Sequence, residues 1–155
     1  MSIETALEHL AKFGLAEKIH EFSVSSATVA LAAEALGVEG ARIAKTLSFS
    51  YGDSAILVVA AGDAKIDNKK FKATFNTKAK MLAFEDVEAL IGHAVGGVCP
   101  FGVKEGVKVY LDQSLRRFET VYPAAGSSSN AVELKLSELE AAALAEGWVD
   151  VTVLP

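Results

Sequence analysis

The chain has 155 residues, 51% of them apolar and 23% charged, with a net charge of −5 and one cysteine. This is the length of one domain and the balance of a soluble globular protein, long enough to bury a core without a metal or disulfide staple. The single Cys99 excludes an internal disulfide, no apolar run nears the ~18 residues of a membrane span, and Met-Ser-Ile-Glu-Thr carries neither the basic nor the apolar region of a signal peptide. The expectation is one cytoplasmic domain over residues 1–155, with no membrane partner and no DNA partner.

In chain order, Ile3, Ala6, Leu7 and Leu10 fall on one face of a first helix, which Ser2 can cap and Gly14 ends. Ile19 to Val24 reads as a short strand. Ser26 precedes an alanine-rich helix, Thr28 to Leu36, stopped at Gly37, and Val38 to Ala44 holds a further helical turn. Leu47 and Phe49 alternate with Thr46 and Ser48, so Lys45 to Ser50 is a half-buried strand. Gly52-Asp53 turns the chain into Ala55 to Ala61, a continuous apolar strand expected to be buried on both faces. Asp67 caps a lysine-rich helix through Ala73, Lys80 to Phe84 is a short strand, and Glu85 to Ile91 is a helix closed by Gly92.

Beyond these, a glycine-rich loop spans Ala94 to Gly102. Strands follow at Val107 to Asp112, Thr120 to Ala124 and Ala131 to Leu136, with a helical turn at Ser114 to Arg117 and a polar loop from Gly126 to Asn130. Ser137 and Glu140 form a capping box for a last helix ending at Gly147, and Trp148 to Val153 closes the chain as a strand. The fold class is α+β: a mixed, largely antiparallel, curled sheet with helices packed outside.

The residues that bear chemistry are few. His9, His20, His93 and Cys99 have no metal-ligand spacing, and there is no Gly-x-Ser-x-Gly elbow, P-loop or Gly-x-Gly-x-x-Gly fingerprint. No metal or cofactor is expected. Lys45 is unusual: a lysine at a strand position beside Ala44 must carry its charge to water or to a partner. It is either a snorkelling edge lysine or a fixed cation aimed at a ligand carboxylate, phosphate or carbonyl. Gly96-Gly97-Val98-Cys99-Pro100-Phe101-Gly102 is either a hairpin-like connection or a loop whose bare backbone lets a substrate approach. Between Lys65 and Lys80 lie Lys65, Lys69, Lys70, Lys72, Lys78 and Lys80 against the single acid Asp67, a local excess of five positive charges. This stretch is either a solvated face or a phosphate-facing patch.

Ala44-Lys45-Thr46-Leu47, the strand end Ala60-Ala61-Gly62-Asp63, the Gly96 to Gly102 loop and the Gly126 to Leu134 segment resemble, in order and spacing, the YbaK/ProX-type aminoacyl-tRNA editing domains. The likeness covers nearly the whole chain, and its specific part is the strand lysine paired with the Gly-Gly-x-x-Pro-x-Gly loop. The resemblance implies hydrolysis of the ester that joins a wrong amino acid to the tRNA 3′ adenosine, most readily tRNA(Pro), without a metal or a covalent intermediate. It implies that Lys45 and the backbone of Gly96 and Gly97 carry catalysis. Thr46, Asp63, Val98, Cys99, Pro100, Phe101, Gly102 and Asn130 are then expected at the substrate, and Lys65, Lys69, Lys70 and Lys72 at the tRNA. Its implied partners are a mischarged aminoacyl-tRNA, bound transiently, and a cognate aminoacyl-tRNA synthetase. Some subgroups place an acid where this chain has Ala131 and others a histidine near Asn130; the chain has neither, which leaves cysteine- and alanine-clearing specificity open.

Two other readings stand beside this one. The same fold can serve as a binding module for tRNA or a synthetase without catalysis. A small-molecule ester or amide hydrolase using Cys99 is the third, and would be indifferent to salt where a phosphate-binding protein is not.

Overall fold

The continuous apolar run becomes the middle of the molecule. The computed structural model describes residues 2–22, 28–93 and 98–155. In chain order its elements are α1 (Ser2–Lys12), β1 (Ile19–Glu21), α2 (Val29–Leu36), β2 (Ile43–Tyr51), β3 (Ser54–Ala61), β4 (Lys65–Ile66), α3 (Asn68–Phe75), α4 (Phe84–Ile91), β5 (Lys108–Asp112), β6 (Thr120–Pro123), β7 (Asn130–Val132), β8 (Leu134–Lys135), α5 (Leu136–Ala142), β9 (Gly147–Val149) and β10 (Thr152–Val153). Short 3₁₀ turns lie at Ala16–Lys18, Gly40–Arg42 and Gln113–Arg117.

The main sheet has six strands in the order β8-β6-β2-β3-β5-β9, and two small pairs, β1-β7 and β4-β10, flank it. The longest ladder is the antiparallel β2-β3 hairpin, from Ala44 opposite Ala61 to Tyr51 opposite Ser54. The β2-β6, β3-β5 and β5-β9 pairs are parallel, so the sheet is mixed as expected. Every residue from Ala55 to Ala61 is buried, as a strand covered on both faces requires. On one face Leu57, Val59 and Leu111 pack with Leu10 of α1, Ile91 of α4 and Leu139 of α5. On the other, Phe49, Ile56 and Val58 pack with Phe71 and Phe75 of α3. A third, smaller cluster of Ala32, Ala33, Ile43, Tyr122 and Ala131 seats α2 beside the end of β6.

Some boundaries differ from the sequence reading. Lys80 to Phe84 forms a single bridge, Met81 opposite Phe49, and α4 already begins at Phe84. A short apolar run does not by itself distinguish strand from helix entry. Ala131 to Leu136 divides between two partners, β7 against β1 and β8 against β6. The last helix starts one residue before Ser137, with Glu138 accepting from the Lys135 N–H at 2.9 Å, and it stops at Ala142 because Leu144 turns left-handed at φ 51°. The expected final strand is broken in two because buried Asp112 accepts from the Val151 N–H (2.9 Å) and the Thr152 hydroxyl (2.7 Å), bending the chain between β9 and β10. Ser26 lies outside the described residues; Thr28 caps α2 by accepting from the Leu31 N–H at 3.2 Å. Asp67 caps α3 as read, accepting from the Lys70 N–H at 3.0 Å.

Candidate active site

An incomplete strand edge makes the site. β3 covers one edge of β2 along its length, whereas β6 reaches the other edge only at Ile43 and Ala44. That second edge is taken up again by the 80–82 segment, through Ser50 N–H to Lys80 O (2.9 Å) and Leu82 N–H to Ser48 O (3.0 Å). Between the two flanks opens a cavity of about 400 Å³. Lys45, Thr46 and Ser48 form its floor, Val29 and Ala32 of α2 with its cap Thr28 one wall, and Met81, Phe84 and Val87 another; Val98, Tyr122, Ser127, Ser128 and Asn130 also line it. The lining is mainly apolar with a few placed polar groups, the usual character of a small-ligand site.

Lys45 is half-buried and, among the described residues, forms no ion pair with a carboxylate. Its ammonium donates to the main-chain oxygens of Ala64 and, at 3.4 Å, of Gly62. An ammonium has three donors, and the described residues engage two of them, beside the cavity that Lys45 lines. Burial pulls the Lys45 pKa below its ordinary value; the nearby Asp63 charge opposes this and Lys65 adds to it. The group is a weakly solvated cation held by neutral dipoles, and a ligand oxygen gains more from such a cation than from one already paired.

The turn that holds Lys45 is itself held. A Cβ on Gly62 would lie 2.1 Å from the Gly40 carbonyl oxygen and 2.7 Å from a Val29 methyl. Only glycine lets this turn press against the 40–42 turn, where Gly62 N–H reaches Ala41 O at 3.3 Å. Asp63 points away to Arg117, which clasps it with two bonds of 2.5 and 3.0 Å. These bonds hold the Asp63 carboxyl below the usual carboxylate range.

The remaining expected residues are distributed around the site. Thr46, Val98 and Asn130 line the cavity with Lys45. The Asn130 amide also closes the 125–130 loop, accepting from Ala125 N–H at 3.0 Å and donating to Ala125 O at 3.1 Å. Cys99 and Phe101 are fully buried in the main core. Pro100 and Gly102 face a second depression bordered by His9, Phe13 and Lys104. Gly102, at φ +70°, lies where a Cβ would stand 2.8 Å from the Thr5 methyl of α1, so this half of the loop serves helix packing. Gly96 and Gly97 lie outside the described residues. Lys65, Lys69 and Lys72 are exposed, whereas Lys70 ties α3 to the chain end through Asp150 (3.1 Å) and Thr152 O (2.8 Å).

The thiol reading fails on burial. Cys99 Sγ is 3.5 Å from His93 Nε2, but burial pushes the thiol up to about 12 and the His93 pKa down. Neither residue lines the cavity, and the His93 ring is occupied with Phe101 O at 2.7 Å. A thiol that stays protonated at working pH is no nucleophile.

Sequence reasoning missed several contributors. Arg117 and the packing role of Gly62 act on the Lys45 turn across long sequence separations, without a local signal. Phe84, 74% exposed, and Met81, 54% exposed, stand at the cavity's wall; two large apolar side chains in solvent beside a pocket were the available clue.

This strand lysine, glycine loop and open-edged cavity belong to a recognisable class. The model of the aminoacyl-tRNA editing domain matches residues 24–142, and the chain belongs to that family. YwhH of Bacillus subtilis (strain 168), an uncharacterized protein, is 50% identical over 152 residues, 97% of each chain. EbsC of Enterococcus faecalis (strain ATCC 700802 / V583), named provisionally as a Cys-tRNA(Pro)/Cys-tRNA(Cys) deacylase, is 35% identical over 104 residues, 66% of this chain and 63% of EbsC. The crystal structure of a candidate trans-editing enzyme for prolyl-tRNA synthetase superposes with a TM-score of 0.88 at 28% identity, covering 98% of this chain and 97% of that one. No helix among the described residues is long and apolar enough to cross a membrane.

Proposed function

We propose that the chain is a trans-acting deacylase that hydrolyses the ester of mischarged tRNA(Pro) in translation quality control. The observation that carries this reading is Lys45: a half-buried cation that no carboxylate of the described residues pairs, on the floor of a cavity of about 400 Å³. An aminoacyl ester is already activated, so the site has to position water and stabilise the oxyanion, and donors of that kind are each worth ~3 kcal/mol. Lys45 supplies one such donor, and the backbone of Gly96 and Gly97 supplies others.

Thr46, Val98 and Asn130 contact the aminoacyl or ribose groups. Asp63 acts through the turn that holds Lys45, and Cys99, Pro100, Phe101 and Gly102 shape the loop from behind. Lys65, Lys69 and Lys72 face the phosphates of the acceptor end, with Lys70 bracing their helix, and a cognate synthetase is a second partner. The protein's overall negative charge favours release of the RNA after turnover.

The test is a panel of tRNA(Pro) charged with Ala, Cys, Ser, Thr or Pro. Release of one non-cognate amino acid with prolyl-tRNA spared is the expected result. Saturable, salt-sensitive tRNA binding without release of any amino acid would favour the non-catalytic binding module instead.

A further inference from the structure

The floor of the cavity is a strand edge with peptide groups that no described residue meets. In an extended strand the N–H and C=O of one residue point to the same side, and successive residues alternate. The bonds of Ser50 N–H to Lys80 O and of Leu82 N–H to Ser48 O place the even-numbered residues of β2 with their peptide groups away from β3. β6 covers that edge as far as Ala44, and the 80–82 segment resumes at Ser48. Thr46 lies between, lining the cavity, and among the described residues no protein group meets its N–H or its C=O. Peptide groups at a protected edge need a partner, and a gap one residue wide selects what that partner is.

We propose that the aminoacyl group of the substrate docks there as one added strand residue. Its α-ammonium donates to the Thr46 carbonyl and its ester carbonyl accepts from the Thr46 N–H. An aminoacyl ester carries its amine and its carbonyl on adjacent carbons, as a strand residue does. It therefore makes the two reciprocal bonds of a hydrogen-bonded antiparallel pair. The flanks, β6 on one side and the 80–82 segment on the other, leave Thr46 as the one residue of this edge between them, so the edge offers the pair of bonds that a single residue makes.

This inference rests on the deacylase reading and gives Thr46 a part in the chemistry. Water adds to the ester carbon, and the carbonyl oxygen takes up the negative charge beside the Thr46 N–H. The bond to the ribose oxygen then breaks, that oxygen takes a proton from the added water, and the free amino acid and the tRNA hydroxyl leave. Loss of one such oxyanion donor lowers kcat by about 100-fold or more.

The experiment replaces the peptide nitrogen of residue 46 by oxygen, through incorporation of the α-hydroxy analogue of threonine into the full chain. The same replacement at Ser50, whose N–H is engaged with Lys80 O, is the comparison, and thermal melting checks both folds. The panel that defines the substrate supplies the esters. We expect the residue-46 variant to lose about 100-fold in single-turnover rate, well beyond the loss in Thr46→Val, while the residue-50 variant loses stability but not rate. Equal rates for the residue-46 variant and the unmodified protein would overturn the proposal and leave the deacylase reading standing. Unmodified protein that cleaves no ester would overturn both.

A second measurement needs no variant. Alanyl- and cysteinyl-tRNA(Pro) are compared with their propionyl and 3-mercaptopropionyl counterparts, which lack the amine. The amine-free esters should be cleaved at least tenfold more slowly, and equal cleavage would overturn the docking.

Discussion

The carboxylate of Asp63 is clasped by Arg117, at 2.5 and 3.0 Å, and not by Lys45, one residue along the same turn from the carbonyls that Lys45 does use. A lysine neutralised by an acid would have little to offer a ligand. Arg117 takes the acid away and leaves Lys45 with neutral acceptors. The pair therefore links a surface ion pair to the state of a cation in the cavity.

Removing the acid's partner tests that link. In Arg117→Gln, Asp63 is free to turn toward Lys45, and deacylation should fall about tenfold while Arg117→Lys recovers only part of it, because a lysine lacks the two-pronged fork. The stability effect has a defined sign. The Asp63 pKa is lowered in the folded protein, so the pair stabilises above the unfolded carboxylate pKa and loses that contribution as pH falls through the depressed folded value. Both side chains are partly exposed, at 34% and 27%, so the gain is about 1 kcal/mol or less. Melting curves of wild type and Arg117→Gln should differ at pH 7 and draw together as pH falls below the ordinary carboxylate range; a gap that does not narrow there would contradict the assignment.

Lys45 makes the opposite trade. Its pKa is lowered because folding desolvates the ammonium. A cation with a folded pKa below its unfolded one costs stability at all pH values below the folded pKa, and that cost fades as pH rises through it. Lys45→Met should therefore melt within a few degrees of wild type at pH 7, or above it, while losing deacylation. For the wild type, the rate should fall on the alkaline side at a pH below the ordinary lysine range as the cation is lost. A large drop in Tm for Lys45→Met would make the lysine structural.

Gly62→Ala forces a methyl group against the Gly40 carbonyl at 2.1 Å. Overpacking of this kind costs about 1–3 kcal/mol, or roughly 2–10 °C in Tm for a chain of this size. Because the displaced turn carries the acceptors of Lys45, the rate should fall by more than the folded fraction does. A rate that tracks the folded fraction would separate the turn from the chemistry.

Cys99 should behave as core. With its thiol pushed up to about 12, it should resist thiol reagents at pH 8 in the native protein and react at once in denaturant. Cys99→Ala should retain at least half of the deacylation rate. Rapid native labelling coupled to inactivation would revive the thiol mechanism.

Much of the frame was legible because local pattern and final environment agree. The run Ala55 to Ala61 has no polar residue, so it had to be buried on both faces, and it is. Asp67 is a cap wherever the chain goes, because its bond to Lys70 N–H is local. Lys45 stood out for the converse reason, a charge where the pattern wanted none. Long-range pairings were not legible. Asp112 bends the chain end through Val151 and Thr152, and nothing near Trp148 announces it. The glycine loop looked uniform in sequence, yet Val98 faces the cavity, Phe101 fills the core and Gly102 clears Thr5 of α1. Which neighbour a glycine must admit is a property of the packed molecule.

The most direct measurement is single-turnover deacylation by wild type and Lys45→Ala, on whichever ester of the tRNA(Pro) panel the wild type cleaves fastest. The account predicts release of one non-cognate amino acid by the wild type and a loss of at least about 100-fold in the variant, with its melting temperature preserved. A folded Lys45→Ala protein that deacylates at the wild-type rate would contradict it.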